Sequence, residues 1–211
     1  MARKVFVAAT GQNSGKTTTS LSLMYMARKK YKRVGFIKPF GPKPSIARNG
    51  MVVDKDAALM AEVFDLEKDL PLMSPLVLHP GDTQKYLEGE LSGAEMERKM
   101  FHAIDELDRK NDFLIIEGAG HTGVGSVLGF SNARVAKIAD APVVMVTGGG
   151  VGNVVDSAYM NLALFEKEQA DVRAVLVNKI IPEKREKTLR YLELAFAKET
   201  FKVVGGFTYQ P

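Results

Sequence analysis

A short apolar run, Val5 to Ala9, passes directly into Thr10-Gly11-Gln12-Asn13-Ser14-Gly15-Lys16-Thr17, after which apolar residues recur at helical spacing. A strand, a glycine-bearing loop and a helix in that succession leave few folds open. The successive backbone N–H groups of such a loop and the helix N-terminus together form an anion cradle. The segment therefore reads as a phosphate-binding loop, to which Lys16 adds a positive charge and Thr17 a hydroxyl for Mg²⁺. The strict pattern G-x-x-x-x-G-K-[ST] fails at its first position, where Thr10 stands in place of glycine and Gly11 comes one residue late. An ordinary helix-start loop is the alternative, and the strand before and the helix after argue against it. The expected nucleotide contacts are Thr10, Gly11, Gln12, Asn13, Ser14, Gly15, Lys16, Thr17 and Thr18.

Beyond this unit, short β-branched runs alternate with longer helical patterns, as in a parallel sheet covered by helices. Strands are expected at residues 4–9, 33–38, 113–117, 142–147, 172–178 and 202–208, several apolar throughout, as strands buried on both faces should be. Ser92 and Glu95 make a capping box before Met96, Met100, Ile104 and Leu107 at helical spacing, with the methionines as core filler. The expected fold class is α/β: three layers, a mostly parallel sheet with helices on both faces. One domain, residues 1–211, is expected, either a short protein or a fragment of a longer one. Residues 40–53 and 71–89 resist assignment and read as long connections near the carboxyl ends of strands, where open α/β sheets bind ligands.

Several residues could carry chemistry. The apolar run Leu114-Ile115-Ile116 delivers Glu117 to a strand end, followed by Gly118-Ala119-Gly120. Glu117 would hold Mg²⁺ opposite Thr17, directly or through water, the alternative being a glutamate that opens an exposed loop. Asp54 and Asp56 precede a helix from Ala57 to Phe64. They read equally as helix-dipole partners or, for Asp56, as a further carboxylate at Mg²⁺ or a catalytic group beside a substrate amine. Lys38, at the end of Val34-Gly35-Phe36-Ile37, would meet a transferred phosphoryl group, the alternative being an exposed edge lysine. Lys16, Lys38 and Asp56 are thus the catalytic candidates, and Thr17, Asp56 and Glu117 the metal candidates. Asn178-Lys179-Ile180-Ile181 resembles the start of the guanine-reading N-K-x-D pattern, with Ile181 where its aspartate belongs. Asn178 can still serve adenine, so ATP is expected over GTP. His121, after the glycines that follow Glu117, reads as an exposed loop residue, the alternative being contact with a bound ligand, and His79 and His102 read as structural or surface residues. Gly148-Gly149-Gly150 with Gly152 implies a close backbone approach to a substrate, a nucleotide or a twin subunit.

Composition removes other classes. With no cysteine there is no disulfide, thiolate metal site or cysteine nucleophile within these residues, and cytoplasm is the expected compartment. The 29 basic and 25 acidic residues are spread along the chain, tryptophan is absent, and the densest basic run, Arg28-Lys29-Lys30-Tyr31-Lys32-Arg33, reads as a solvated helix end. Nucleic acid is not an expected partner. Nor is a membrane, since no stretch reaches spanning length.

These motifs, in this order, resemble the dethiobiotin synthetase and cobyrinic acid a,c-diamide synthase branch of the P-loop NTPases, which also includes the MinD/ParA ATPases. The loop from Phe6 to Thr17 is similar in length to that of dethiobiotin synthetases, threonine at Thr10 included. Lys38-Pro39, Asp56-Ala57, Glu117-Gly118-Ala119-Gly120 and Asn178 match that family's substrate-side lysine, metal-side aspartate, metal-binding glutamate and adenine-contacting asparagine. The resemblance implies ATP and Mg²⁺ as cofactors, phosphoryl transfer to a carboxylate or carbamate, an amine or carboxylate small-molecule substrate, and a homodimer. Pro42 in place of a substrate-contacting serine, and an unfamiliar residue pattern at 76–89, argue against biotin synthesis itself. Gly11, where MinD/ParA proteins carry a second lysine, argues against an ATP-sandwiched dimer. A further likeness, to the dethiobiotin-synthetase-like domain of some phosphotransacetylases, implies instead an ATP-sensing regulatory domain without ligase turnover, attached to a C-terminal domain outside this chain.

Overall fold

The computed structural model describes residues 1–209. In chain order its elements are β1 (Arg3–Ala9), α1 (Lys16–Ala27), β2 (Val34–Ile37), β3 (Pro44–Ile46), β4 (Val52–Asp54), α2 (Lys55–Phe64), α3 (Leu70–Met73), α4 (Asp82–Leu87), α5 (Gly93–Lys110), β5 (Phe113–Glu117), α6 (Asn132–Ile138), β6 (Val143–Gly148), α7 (Val151–Lys167), β7 (Val172–Ile180), α8 (Arg185–Ala195) and β8 (Lys202–Thr208). Six strands form one sheet in the order β2-β5-β1-β6-β7-β8, every pairing parallel. All their carboxyl ends therefore lie along one edge. β1, which leads into the glycine loop, is central between β5 and β6.

The alternation of β1 divides the core. Phe6 and Ala8 face one layer, packed with Met100, Ile104 and Leu107 of α5, Ala133 of α6, Leu162 and Phe165 of α7 and Leu192 of α8. Val7 and Ala9 face the other, with Met24 of α1, Met60 and Phe64 of α2 and Met73 of α3. Successive strand residues point to opposite faces, so a strand apolar throughout demands cover on both. The three-layer α/β expectation is met, and five of the ten methionines are buried core filler, Met24, Met60, Met73, Met100 and Met145. Half of the expected capping box forms, the Ser92 hydroxyl accepting from Glu95 N–H at 3.3 Å. The basic run lies just beyond α1, with Lys29 over the Tyr25 ring at 4.5 Å and Arg33 paired to Asp112 at 2.7 Å.

The two unassigned stretches are not structureless. Residues 40–53 hold a small antiparallel hairpin, β3 with most of β4, tied to α2 by the Arg48–Glu62 ion pair. Residues 71–89 hold most of α3 and all of α4. Three-residue strands carry too little alternation to be read from sequence. Among the described residues, no helix is long and apolar enough to cross a membrane.

Leu114 of β5, a strand flanked by β1 and β2, is fully buried. Leu114→Ala should therefore lower the unfolding free energy by about 3 kcal/mol, while Val204→Thr on the exposed face of β8 should change it by less than about 0.5 kcal/mol, both read from urea denaturation.

Candidate functional site

The carboxyl ends of β1, β2, β5 and β7 meet around one cavity of about 420 Å³. Its first wall is the glycine loop. Asn13 (φ 55°) and Gly15 (φ 98°) both take left-handed conformations, and the Ser14 hydroxyl closes the turn on Gly11 O at 2.9 Å. α1 then starts at Lys16 with Gly15 as its N-cap and no side-chain cap. Its first-turn N–H groups are left for a ligand. Gly15 must be glycine for two reasons: its φ, and the Asn178 amide, whose Nδ2 would lie 2.1 Å from an added Cβ. Thr10 turns its hydroxyl away from the loop, donating to Thr147 Oγ1 on β6 at 3.1 Å.

The second wall is an ion cluster. Lys38 Nζ donates to Asp56 Oδ2 at 2.7 Å and to Glu117 Oε1 at 2.8 Å, and the Thr17 hydroxyl donates to the same Glu117 oxygen at 3.0 Å. Lys38 is 3% exposed and Glu117 fully buried, which excludes both an edge lysine and a glutamate merely opening an exposed loop. Burial alone would depress the Lys38 ammonium's pKa, but the facing Glu117 and Asp56 carboxylates outweigh it and hold the pKa above its usual value. Asp56 is the mirror case: burial would raise its pKa, and the Lys38 cation holds it down. Asp54 caps α2 by accepting from Asp56 N–H at 2.9 Å, and burial pushes its carboxyl up. Its position thus settles that Asp54 is a helix cap, and this cap aims Asp56 inward.

Lys16 reaches across the cavity to donate to Gly120 O at 2.7 Å. Burial, and then repulsion from Lys38, lower its pKa to about 8. Five lysines, at 16, 38, 43, 55 and 179, line the cavity against three carboxylates, Asp54, Asp56 and Glu117. The balance favours an anion. Glu117 Oε2 is buried without a hydrogen-bond partner. With the Asp56 and Thr17 oxygens near it, this is a hard-oxygen donor set of the kind Mg²⁺ takes together with phosphate oxygens and water. No group of three or more His, Asp or Glu side chains among the described residues would hold a metal by itself.

Asn178 lines the cavity, but its carboxamide bonds to the protein: Nδ2 donates to Ser14 O at 3.0 Å and Oδ1 accepts from Lys179 N–H at 2.8 Å. What comes close to Gly148 is this neighbour, since a Cβ there would meet Asn178 O at 3.1 Å, while Gly150 and Gly152 face open space. His121 is exposed and accepts from Gly123 N–H, and His79 and His102 are exposed.

Two residues escaped the sequence reading. Asn132 brackets the loop after β5, accepting from Ala119 N–H and donating to the Ala119 and His121 carbonyls. Asn161 of α7 accepts from Thr122 N–H at 3.0 Å and donates to Thr10 O at 3.3 Å, joining that loop to the glycine loop. The signal for Asn161 was a polar residue beside Ala158 and Leu162 on the buried stripe of a helix.

A family model described as AAA domain matches residues 3–210. The ATP-dependent dethiobiotin synthetase of Methanocaldococcus jannaschii is 26% identical over 206 residues, covering 96% of this chain and 89% of that protein. A cobyric acid synthase of Lachnoclostridium phytofermentans is 24% identical over 198 residues, which are 85% of this chain; the match spans only 38% of that relative. Among solved structures, an ATP complex of Cyanothece McdA superposes with a TM-score of 0.59 over 99% of this chain and 84% of that one, at 12% identity, a likeness of fold.

Removing the Lys38 ammonium leaves the fully buried Glu117 and the half-buried Asp56 without a cation, so Lys38→Met should cost about 3 kcal/mol in urea unfolding. Millimolar Mg²⁺ should restore part of that loss in the variant while leaving the wild type nearly unchanged. The Lys16 pKa gives a second expectation. A polyphosphate selects the ammonium form, so binding is full below pH 8 and weakens above it. Between pH 7 and pH 9 nucleotide affinity should fall about tenfold by calorimetry, and Lys16→Arg, which does not titrate there, should flatten the profile.

Proposed function

This chain belongs to the AAA domain family, on the dethiobiotin-synthetase-like side of the P-loop NTPases, and from that premise we propose that it binds ATP with Mg²⁺ and transfers the γ-phosphoryl group to a carboxylate or carbamate. The observation that carries this reading is the cluster of Lys38, Asp56, Glu117 and Thr17 facing the glycine loop across one cavity.

In this reading the N–H groups of residues 11–18 receive the phosphates, and Lys16 leaves the Gly120 carbonyl for their oxygens. Glu117, through its unpartnered oxygen, with Asp56 and Thr17, would hold Mg²⁺, which when bound offsets the charge of the β- and γ-phosphates. Lys38, held by its two carboxylates through two N–H groups, would offer its third to the transferred group, where an ammonium already held in place stabilises charge with little reorganisation. An oxygen of the acceptor carboxylate or carbamate attacks the γ-phosphorus, the bond to the β–γ bridging oxygen breaks, and ADP leaves. The mixed anhydride so formed is then open to an amine, which closes a C–N bond and releases phosphate. Asp56, at the cavity wall, would orient the attacking amine, whose proton leaves on the departing phosphate. The ligase reading is favoured over a sandwiched ATPase dimer by Gly11, which offers no second lysine. A homodimer in the cytoplasm belongs to the same proposal.

Calorimetry with Mg·ATP tests the phosphate site: Lys16→Ala should bind at least about a hundredfold more weakly than wild type, as expected for a phosphate-contacting cation in a site closed to water. Equal binding would remove the assignment. For the chemistry, wild type incubated with Mg·ATP, candidate carboxylates and hydroxylamine should yield hydroxamate and ADP together, and neither product should form with Lys38→Met.

A further inference from the structure

Asn178 stands at the carboxyl end of β7, where the pairing with β8 loses register between Val177 and Ile180. Irregularities of this kind re-aim the side chains around them. Lys179 takes a φ of 58°, and its N–H returns to donate to Asn178 Oδ1 at 2.8 Å. That bond orients the carboxamide and sends Nδ2 to the Ser14 carbonyl, 3.0 Å away and 164 residues distant in the chain. On the other side, Gly148 lets the Asn178 backbone come close to β6, since any Cβ there would lie 3.1 Å from Asn178 O.

A trans peptide carries its C=O and its N–H on opposite sides. Pinning the Ser14 carbonyl to Asn178 therefore turns the N–H of the same peptide, that of Gly15, the opposite way. Gly15 lines the cavity and is the N-cap of α1, the position from which N–H groups meet a bound anion. The fit is reciprocal, because the amide fills the space that a side chain on Gly15 would need. A carboxamide that reads adenine offers its donor and its acceptor together to the base edge. In Asn178 one amide hydrogen and one lone pair of the oxygen are already committed inside the chain, and these bonds fix the orientation of the carboxamide toward the loop.

We infer that Asn178 is a positioning residue of the phosphate cradle: by holding the Ser14 carbonyl it keeps the Gly15 N–H presented to the triphosphate, and its contribution to binding does not depend on the base. The inference rests on the reading above that the loop receives a nucleoside triphosphate, and it replaces the adenine contact expected of this residue.

The test compares wild type, Asn178→Ala and Asn178→Asp for binding of Mg·ATP, Mg·GTP and base-free tripolyphosphate by calorimetry, with thermal unfolding of each protein. Asn178→Ala should weaken all three ligands by the same factor, about three- to tenfold, the worth of one hydrogen bond. Its unfolding midpoint should stay close to that of wild type. Asn178→Asp keeps the bond from Lys179 but sets an acceptor against the Ser14 carbonyl, so it should lose more than the alanine variant with every ligand. Should the alanine variant not fold, the aspartate variant carries the same comparison. A loss confined to ATP, with tripolyphosphate unaffected, overturns the inference and makes Asn178 a base reader. Unchanged binding of all three overturns it as well, while leaving the nucleotide reading intact. If wild type binds none of the three, the nucleotide reading fails and takes the inference with it.

Discussion

One ammonium group holds the site together. Lys38 satisfies two carboxylates that come from elements 18 and 79 residues away, and none of the three charges could be withdrawn from water alone without a cost of several kcal/mol. Their mutual neutralisation fixes the end of β2, the start of α2 and the end of β5 relative to one another. Through Thr17, which shares the same Glu117 oxygen, it also fixes the first turn of α1. The parallel sheet brings these ends to one edge, and the ion cluster turns that edge into a cavity with defined walls. Lys16 feels the same field with the opposite sign. Its lowered pKa comes first from its own burial and then from repulsion by Lys38.

Behind the cavity a second set of contacts, neutral this time, sets the loops. Thr10, the residue that breaks the strict glycine pattern, uses its hydroxyl on Thr147, which lies 3.4 Å from the Ser157 hydroxyl of α7. Its carbonyl takes a bond from Asn161, whose other end receives Thr122 N–H. A glycine at position 10 would keep the carbonyl contact and lose the hydroxyl chain. The threonine thus has a structural role: it braces the start of the loop against β6 and α7, while the Ser14 turn and the Asn178 amide hold its far end. A displacement of either loop would be felt by α7 through one carboxamide.

The sequence revealed what depends on composition within a segment and concealed what depends on pairing between segments. β1, β2, β5, β6 and β7 were legible to within a residue or two because strands covered on both faces are apolar through most of their length, and β8, an edge strand with Val204 and Phe207 exposed, was legible from its β-branched and aromatic residues. The β3–β4 hairpin was not, since Pro44, Ser45 and Ile46 show no period and Ile46 is exposed. Lys38, Asp56 and Glu117 could be named as candidates from their places at strand and helix ends. That one ammonium would join them could not, because the joining contact spans three elements. Asn178 was legible as a site residue through its resemblance to an asparagine in known relatives, but its hydrogen-bond partner was not. Asn161 carried a usable sign, a polar side chain on an apolar helical stripe, whose meaning needed the partner loops to be in place.

The two glycines of the phosphate loop differ in kind, and the difference bears on mechanism. Gly15 is demanded by φ and by Asn178, so any side chain there would be expelled by geometry. Gly11 has no such demand: an added Cβ would meet nothing closer than Ser14 Oγ at 3.6 Å, an ordinary contact, and its φ is not among the positive ones. A side chain at position 11 would fit. Packing therefore does not explain why the loop lacks a second lysine there. What the cavity already contains bears on it, since Lys38 stands close enough to lower the proton affinity of Lys16, and a further ammonium would sharpen that repulsion. A site that gathers its cations from the end of its own β2 and the start of α1 has no electrostatic need to borrow one across an interface, in keeping with the single-chain site proposed above.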